Sequence, residues 1–179
     1  MTDKKYPDNG KKEKQKLSRR DLFKNLFNPF QEEDAPEKGS SGMDPDIIFA
    51  DKLVRAQNYE QAARVYSECL EREPKHVEAM RNLGFCRYKT GELAQAKRIW
   101  ENFLSYRPRD NFVLLYMGLI HAHQGDLESA LSTWRSYFNT HKPVVQRQIN
   151  LILAKYDRGD ELDVREVHRL VEEAIEKQK

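Results

Sequence analysis

The sequence has little of what most enzymes, metalloproteins and membrane proteins need. It holds only two cysteines, Cys69 and Cys86, which make neither a metal-binding spacing nor a disulfide framework. Each falls where a helix calls for a small apolar side chain, so both are expected as buried thiols, which suits a reducing compartment. No apolar run approaches the roughly 20 residues that cross a bilayer. The eight glycines form no P-loop, dinucleotide fingerprint or nucleophile elbow. His121 and His123, in "HAH", would point about 200° apart on a helix, and His76, His141 and His168 have no histidine or cysteine one turn away. A net charge of +2 argues neither for nor against nucleic acid. The expectation is a soluble chain that is not an enzyme, with no metal, no cofactor and no nucleic acid among its partners.

What is present begins with segregated charge. Residues 1–30 carry nine Lys/Arg against four Asp/Glu, and residues 31–46 carry one Lys against six acids. This composition predicts a disordered tail over 1–42. Within it, "SRRDLFKNLFNPF" at 18–30 puts Leu22, Phe23, Leu26, Phe27 and Phe30 on one side of a short helix behind Arg19 and Arg20. Three functional readings follow. "SRRDLFK" resembles a twin-arginine export signal, but Asn25, Asn28, Pro29 and the acids at 32–34 stand where that signal needs its apolar core. The basic Leu/Phe helix could instead rest weakly at an anionic membrane surface. The third reading, which the composition favours, is a linear ligand that docks in a groove of this chain or of a partner.

The remainder repeats. "NYEQAARVY", "ELAQAKRIW" and "DLESALSTW" align so that Ala62, Ala96 and Ala130 recur every 34 residues, each followed four positions later by Tyr66, Trp100 or Trp134. Phe49, Leu83 and Met117 keep the same period, as do Ala50, Gly84 and Gly118. Pro74 and Pro108 close two units, and Pro143 closes the third one residue late. Such a period identifies stacked units of one supersecondary structure.

The pattern predicts a pair of helices per unit: A helices over about 45–57, 76–89 and 110–123, and B helices over about 60–72, 93–105 and 127–139. A small residue on A and an alanine on B let the backbones approach, and the aromatic fills the remaining gap. Gly91 and Gly125 suit the left-handed turn that ends an A helix. Residues 143–179 offer a degenerate fourth pair, in which Val164, Val167, Leu170, Val171, Ala174 and Ile175 form one stripe fit for a capping helix.

Over about 43–142 this pattern resembles the tetratricopeptide repeat. It departs from that repeat at Asp46, at Arg87 and His121 where an aromatic is usual, and at Phe103 and Tyr137 where a small residue is usual. The resemblance implies an all-α solenoid of three units whose A helices line a concave groove. The residues at lining positions include Asp51 and Arg55, then Arg81, Phe85, Tyr88 and Lys89, then Leu115, Leu119 and His123, with Leu153 beyond. Family members that clamp a C-terminal carboxylate use Lys and Asn on these helices; Asn82 fits that arrangement, but Ile47, Asp51, Phe112 and Tyr116 stand where its other polar or basic residues would be, so no such clamp is expected. The expected partner is another protein, offering an apolar or amphipathic segment, and the expected place is the cytoplasm or the periphery of the inner membrane, ahead of export. The alternative is a membrane-associated or exported tether that uses the basic N-terminus as its anchor.

Overall fold

The computed structural model describes residues 44–178. The segment 18–30, with Arg19, Arg20, Leu22, Phe23, Leu26, Phe27 and Phe30, and the predicted tail lie outside the described residues. Eight helices and no strand occur among the described residues: α1 (Pro45–Arg55), α2 (Tyr59–Arg72), α3 (Val77–Lys89), α4 (Leu93–Tyr106), α5 (Asn111–His123), α6 (Leu127–Arg135), α7 (Pro143–Asp157) and α8 (Val164–Lys177). Consecutive helices pair, and α2 and α4 each also pack on the next A helix, α3 and α5.

The repeat is visible bond by bond. Gln57, Gly91, Gly125 and Gly159 all hold a positive φ, between 59° and 84°, and they are spaced by the 34-residue period. After each, the backbone N–H of Asn58, Glu92, Asp126 or Asp160 donates to the carbonyl of Leu53, Arg87, His121 or Lys155. The turn geometry therefore runs on into the degenerate fourth pair. Gln57 adopts it without the freedom of glycine, at a cost of about 1–2 kcal/mol.

Side chains at the N-termini fix where helices begin. Asp44 accepts from Asp46 N–H (2.9 Å), Asp110 from Val113 (2.9 Å), Asp126 from Ser129 (3.0 Å) and Asp163 from Arg165 (2.7 Å). His76 does the same through Nδ1, which accepts from Ala79 N–H at 3.2 Å.

Inside each unit the predicted close packing is present. Ala62, Ala96 and Ala130 are fully buried, as are Tyr66, Trp100 and Trp134. Trp100 lies on Gly84 and Trp134 on Gly118, so closely that a Cβ on either glycine would fall among the indole atoms. Phe103 and Tyr137, the two large residues at a usually small position, are buried in the same seams. Both thiols are buried, and burial pushes Cys86 up to about 12. Phe49 keeps the period of Leu83 and Met117 but is 54% exposed, because no described helix precedes α1 to cover it.

Two expectations need correcting. The third B helix ends at Arg135, four residues short of 139. Side chains draw the backbone N–H groups beyond it away from a helix: Asn111 accepts from Phe138 (3.0 Å), Gln146 from Asn139 (2.6 Å) and Asn139 from His141 (3.0 Å). The last helix also does more than cap. Helices α2, α4 and α6 begin two residues after the left-handed residue, whereas α8 begins five residues after Gly159. With that longer lead, α8 packs against α5 as well as α7. Val167, Val171 and Ala174 are buried there, and Arg169 pairs with Glu166 and Glu173 on the outer side.

Candidate protein-binding face

The face lined by the A helices carries a run of half-buried rings. Phe85 of α3 stands in the middle, edge-on to Tyr59 of α2 at 6.0 Å and to Phe112 and Tyr116 of α5 at 5.2 and 5.3 Å. Phe112 and Tyr116, one helical turn apart, lie 4.8 Å from each other, and Tyr116 meets Tyr88 at 5.0 Å. Such offset and edge contacts are the favoured arrangement of aromatic pairs, and they hold the rings in place as a floor.

Cations bracket the floor. The Arg81 guanidinium sits over Phe112 at 4.5 Å and the Lys89 ammonium over Tyr59 at 5.7 Å. The two stand about two turns apart on α3, and Arg55, exposed at the end of α1, holds the position of Lys89 one repeat earlier. Asp51 has a structural task. It accepts from the Tyr66 hydroxyl and from Asn82 Nδ2 at 3.2 Å, which ties α1, α2 and α3 together.

The far end of the expected groove is closed. Leu115 and Leu119 are 2% and 0% exposed, in a core shared with Ile149 of α7 and Val167, Val171 and Ala174 of α8. They offer no side-chain surface to a ligand, because α8 returns over α5. Leu153 is half-buried against the same core. His123 remains exposed but is matched to His168 of α8, ring to ring at 5.5 Å. His168 is held below its ordinary pKa by burial, with Glu172, 3.4 Å from its Nδ1, pulling the other way.

The acids of α8 also bear on the ring floor. Burial raises the Tyr88 hydroxyl well above its ordinary pKa, and Glu172 adds to that. Tyr116 is pushed up to about 12, by burial first and then by Glu176 and other neighbours. Both hydroxyls stay protonated at neutral pH. The open part of the face is therefore an aromatic centre with Arg81 and Lys89 on α3 and a carboxylate edge on α8. Among the described residues no three His, Cys, Asp or Glu side chains converge as a metal site, and no helix is long and apolar enough to cross a membrane.

Of the expected lining residues, the structure brings Arg81, Phe85, Tyr88 and Lys89 together and separates off the third-unit leucines. The expected lining does not include Tyr59, and it has Phe112 and Tyr116 only as the residues at carboxylate-clamp positions. Phe112 and Tyr116 follow Glu78 and Asn82 by one period, so their face was readable from the repeat. Tyr59 was not, since its position depends on how α2 enters its seam.

Comparison with known proteins agrees with this architecture. The tetratricopeptide repeat family model matches residues 53–112. A search of curated protein sequences finds no match. Among solved structures, the chain is similar to the type III secretion translocator chaperone SycD of Yersinia enterocolitica in its alternative dimer form. The TM-score is 0.52 at 14% identity, over 80% of this chain and 99% of that one. That likeness is one of fold alone. Residues 53–112 match the tetratricopeptide repeat, and the same 34-residue turn geometry continues beyond them at Gly125 and Gly159, so the described residues form a helical solenoid of this kind.

Proposed function

We propose that this chain is a non-catalytic protein-interaction module, an adaptor or assembly factor, that holds an apolar or amphipathic segment of another protein on the A-helix face. The observation that carries the reading is the aromatic floor of Tyr59, Phe85, Phe112 and Tyr116 between the Arg81 and Lys89 cations. A helix or extended segment laid there would bury its large side chains on the rings while acidic flanks meet the cations. Two or three large apolar side chains contribute about 1.5–3 kcal/mol each before ordering costs, enough for micromolar binding.

The site is shorter than the repeat pattern implied, because α8 closes its third-unit end. A bound segment therefore spans α1, α3 and the first half of α5. A photo-crosslinking side chain at Lys89 or Arg55, both exposed, tests the reading in the native cell. A specific protein adduct is expected, and it is expected to disappear when Phe85→Ala and Tyr88→Ala are combined in a chain that still folds. An adduct that survives those substitutions overturns the assignment of the face.

A further inference from the structure

A second site lies beyond the Arg81 end of the aromatic floor. A cavity of about 390 Å³ opens between the start of α5 and the connection from α6 to α7, within the range of small-ligand sites. Its lining is basic: Arg81, Arg109 and Lys142 face a single carboxylate, Asp110. Asp110 is already engaged, since one of its oxygens accepts from Val113 N–H at 2.9 Å and the other lies 3.5 Å from Arg81 Nε. Neither Arg109 nor Lys142 has an ion-pair partner among the described residues.

Two polar atoms in this lining are left short of partners. The Tyr137 ring is 4% exposed, and its buried hydroxyl has the Asn139 side chain beside its oxygen but no acceptor for its O–H. Arg81 Nε is likewise buried, and its approach to Asp110 is an ion pair without hydrogen-bond alignment. A buried donor without an acceptor costs about 1–3 kcal/mol, so folded proteins rarely keep one without a reason. Burial pushes Tyr137 up to about 12, while a hydrogen bond of the Asn139 side chain to its oxygen pulls the other way, so the hydroxyl keeps its proton as a neutral donor at physiological pH.

We propose that this cavity is an oxyanion site that takes a carboxylate or phosphate group, with Arg81, Arg109 and Lys142 supplying the charge and the Tyr137 hydroxyl a buried donor. Guanidinium forks suit both groups, and the excess of cations over Asp110 leaves the cavity positive when empty. The start of α5 adds the positive end of its dipole. The site shares Arg81 and Phe112 with the ring floor but does not depend on a peptide being bound there.

The test uses the full chain and small anions alone. Sodium phosphate and sodium acetate are titrated separately at constant ionic strength against sodium chloride, with the backbone amide resonances of residues 109–111 and 137–142 followed by NMR. Saturable shifts with phosphate, acetate or both are expected, and which anion saturates tells the phosphate source from the carboxylate source. The Arg109→Gln, Lys142→Gln pair is expected to weaken binding about tenfold or more. Tyr137→Phe supplies a readout that a purely structural role would not move: anion affinity falls while the melting temperature without anion holds or rises. Shifts no different from those in chloride, or affinity unchanged in both variants, would overturn the proposal. Neither result would bear on crosslinking at Lys89, so the two sites fail independently.

Discussion

The indole N–H of Trp100 donates to the backbone carbonyl of Arg81 at 3.0 Å, reaching across Gly84 from α4 to α3. One period later Trp134 makes the same bond to the Leu115 carbonyl at 3.2 Å, across Gly118. In an ordinary helix interior, replacing glycine by alanine stabilises by about 1 kcal/mol. Here the added methyl would collide with a fully buried indole, and overpacking of a filled core costs about 1–3 kcal/mol. Gly84→Ala is therefore expected to destabilise the chain despite its better helix propensity. Combining it with Trp100→Phe, which removes the indole nitrogen that lies nearest the added methyl, is expected to cost less than the sum of the two single changes. Denaturant unfolding of the four members of that cycle measures the coupling.

Gln57 gives the opposite sign. It is exposed and holds the left-handed conformation that Gly91, Gly125 and Gly159 hold in the other units. Gln57→Gly is expected to stabilise the first unit by about 0.5–1 kcal/mol, the relieved backbone strain outweighing the added freedom of the unfolded chain. Hydrogen exchange of α1 and α2 amides checks it, with slower exchange expected.

Tyr66, Tyr88, Tyr116 and Tyr137 are all raised above the ordinary tyrosine range, in each case chiefly by burial. For Tyr66 the hydrogen bond to Asp51 adds to the effect. The fold thus favours the protonated hydroxyls. Their contribution to stability is complete below the unfolded value of about pH 10 and is lost as the pH rises past it toward the folded values. In an alkaline titration followed by phenolate absorbance, these four are expected to ionise together with unfolding. Tyr66→Phe is expected to cost about 1–2 kcal/mol at neutral pH, because Asp51 loses a donor at the junction of three helices. A gradual titration of all tyrosines without unfolding would contradict this account.

How much of this was legible in the sequence differs by scale. The seams were, because Ala62, Ala96 and Ala130 with their aromatics are local rules repeated, and each repetition confirms the others. Residues on a single helix face, such as Arg81, Phe85 and Tyr88, could be placed from the period alone. Leu115 and Leu119 could not, because their burial depends on α8, which is distant in sequence and directed by the extra residues at 160–163. The stripe on α8 said that it packs and left open against what. Tyr137 similarly read as an odd residue in a seam, and only the cavity beside it shows its hydroxyl left over.

The return of α8 over α5 has a thermodynamic consequence of its own. In a solenoid each unit is stabilised by its neighbours, and an end unit without a cap frays. Helix α8 is bound through Val167, Val171 and Ala174 to the same core as Leu115, Leu119 and Ile149, so it closes the third unit and the fourth pair together. Val171→Asp would place a carboxylate in that fully buried position, where no cation is available to meet it from the buried lining. The expected cost is about 3 kcal/mol or more. The loss should be uneven: amides of α5 to α8 lose most of their exchange protection, while α1, α2 and α3 keep theirs through the Asp51, Tyr66 and Asn82 network. Leu115 and Leu119 would then become accessible, and binding of a hydrophobic dye should rise before global unfolding. Uniform loss of protection along the whole chain would instead mean that the solenoid unfolds as one unit and that α8 is no separate closure.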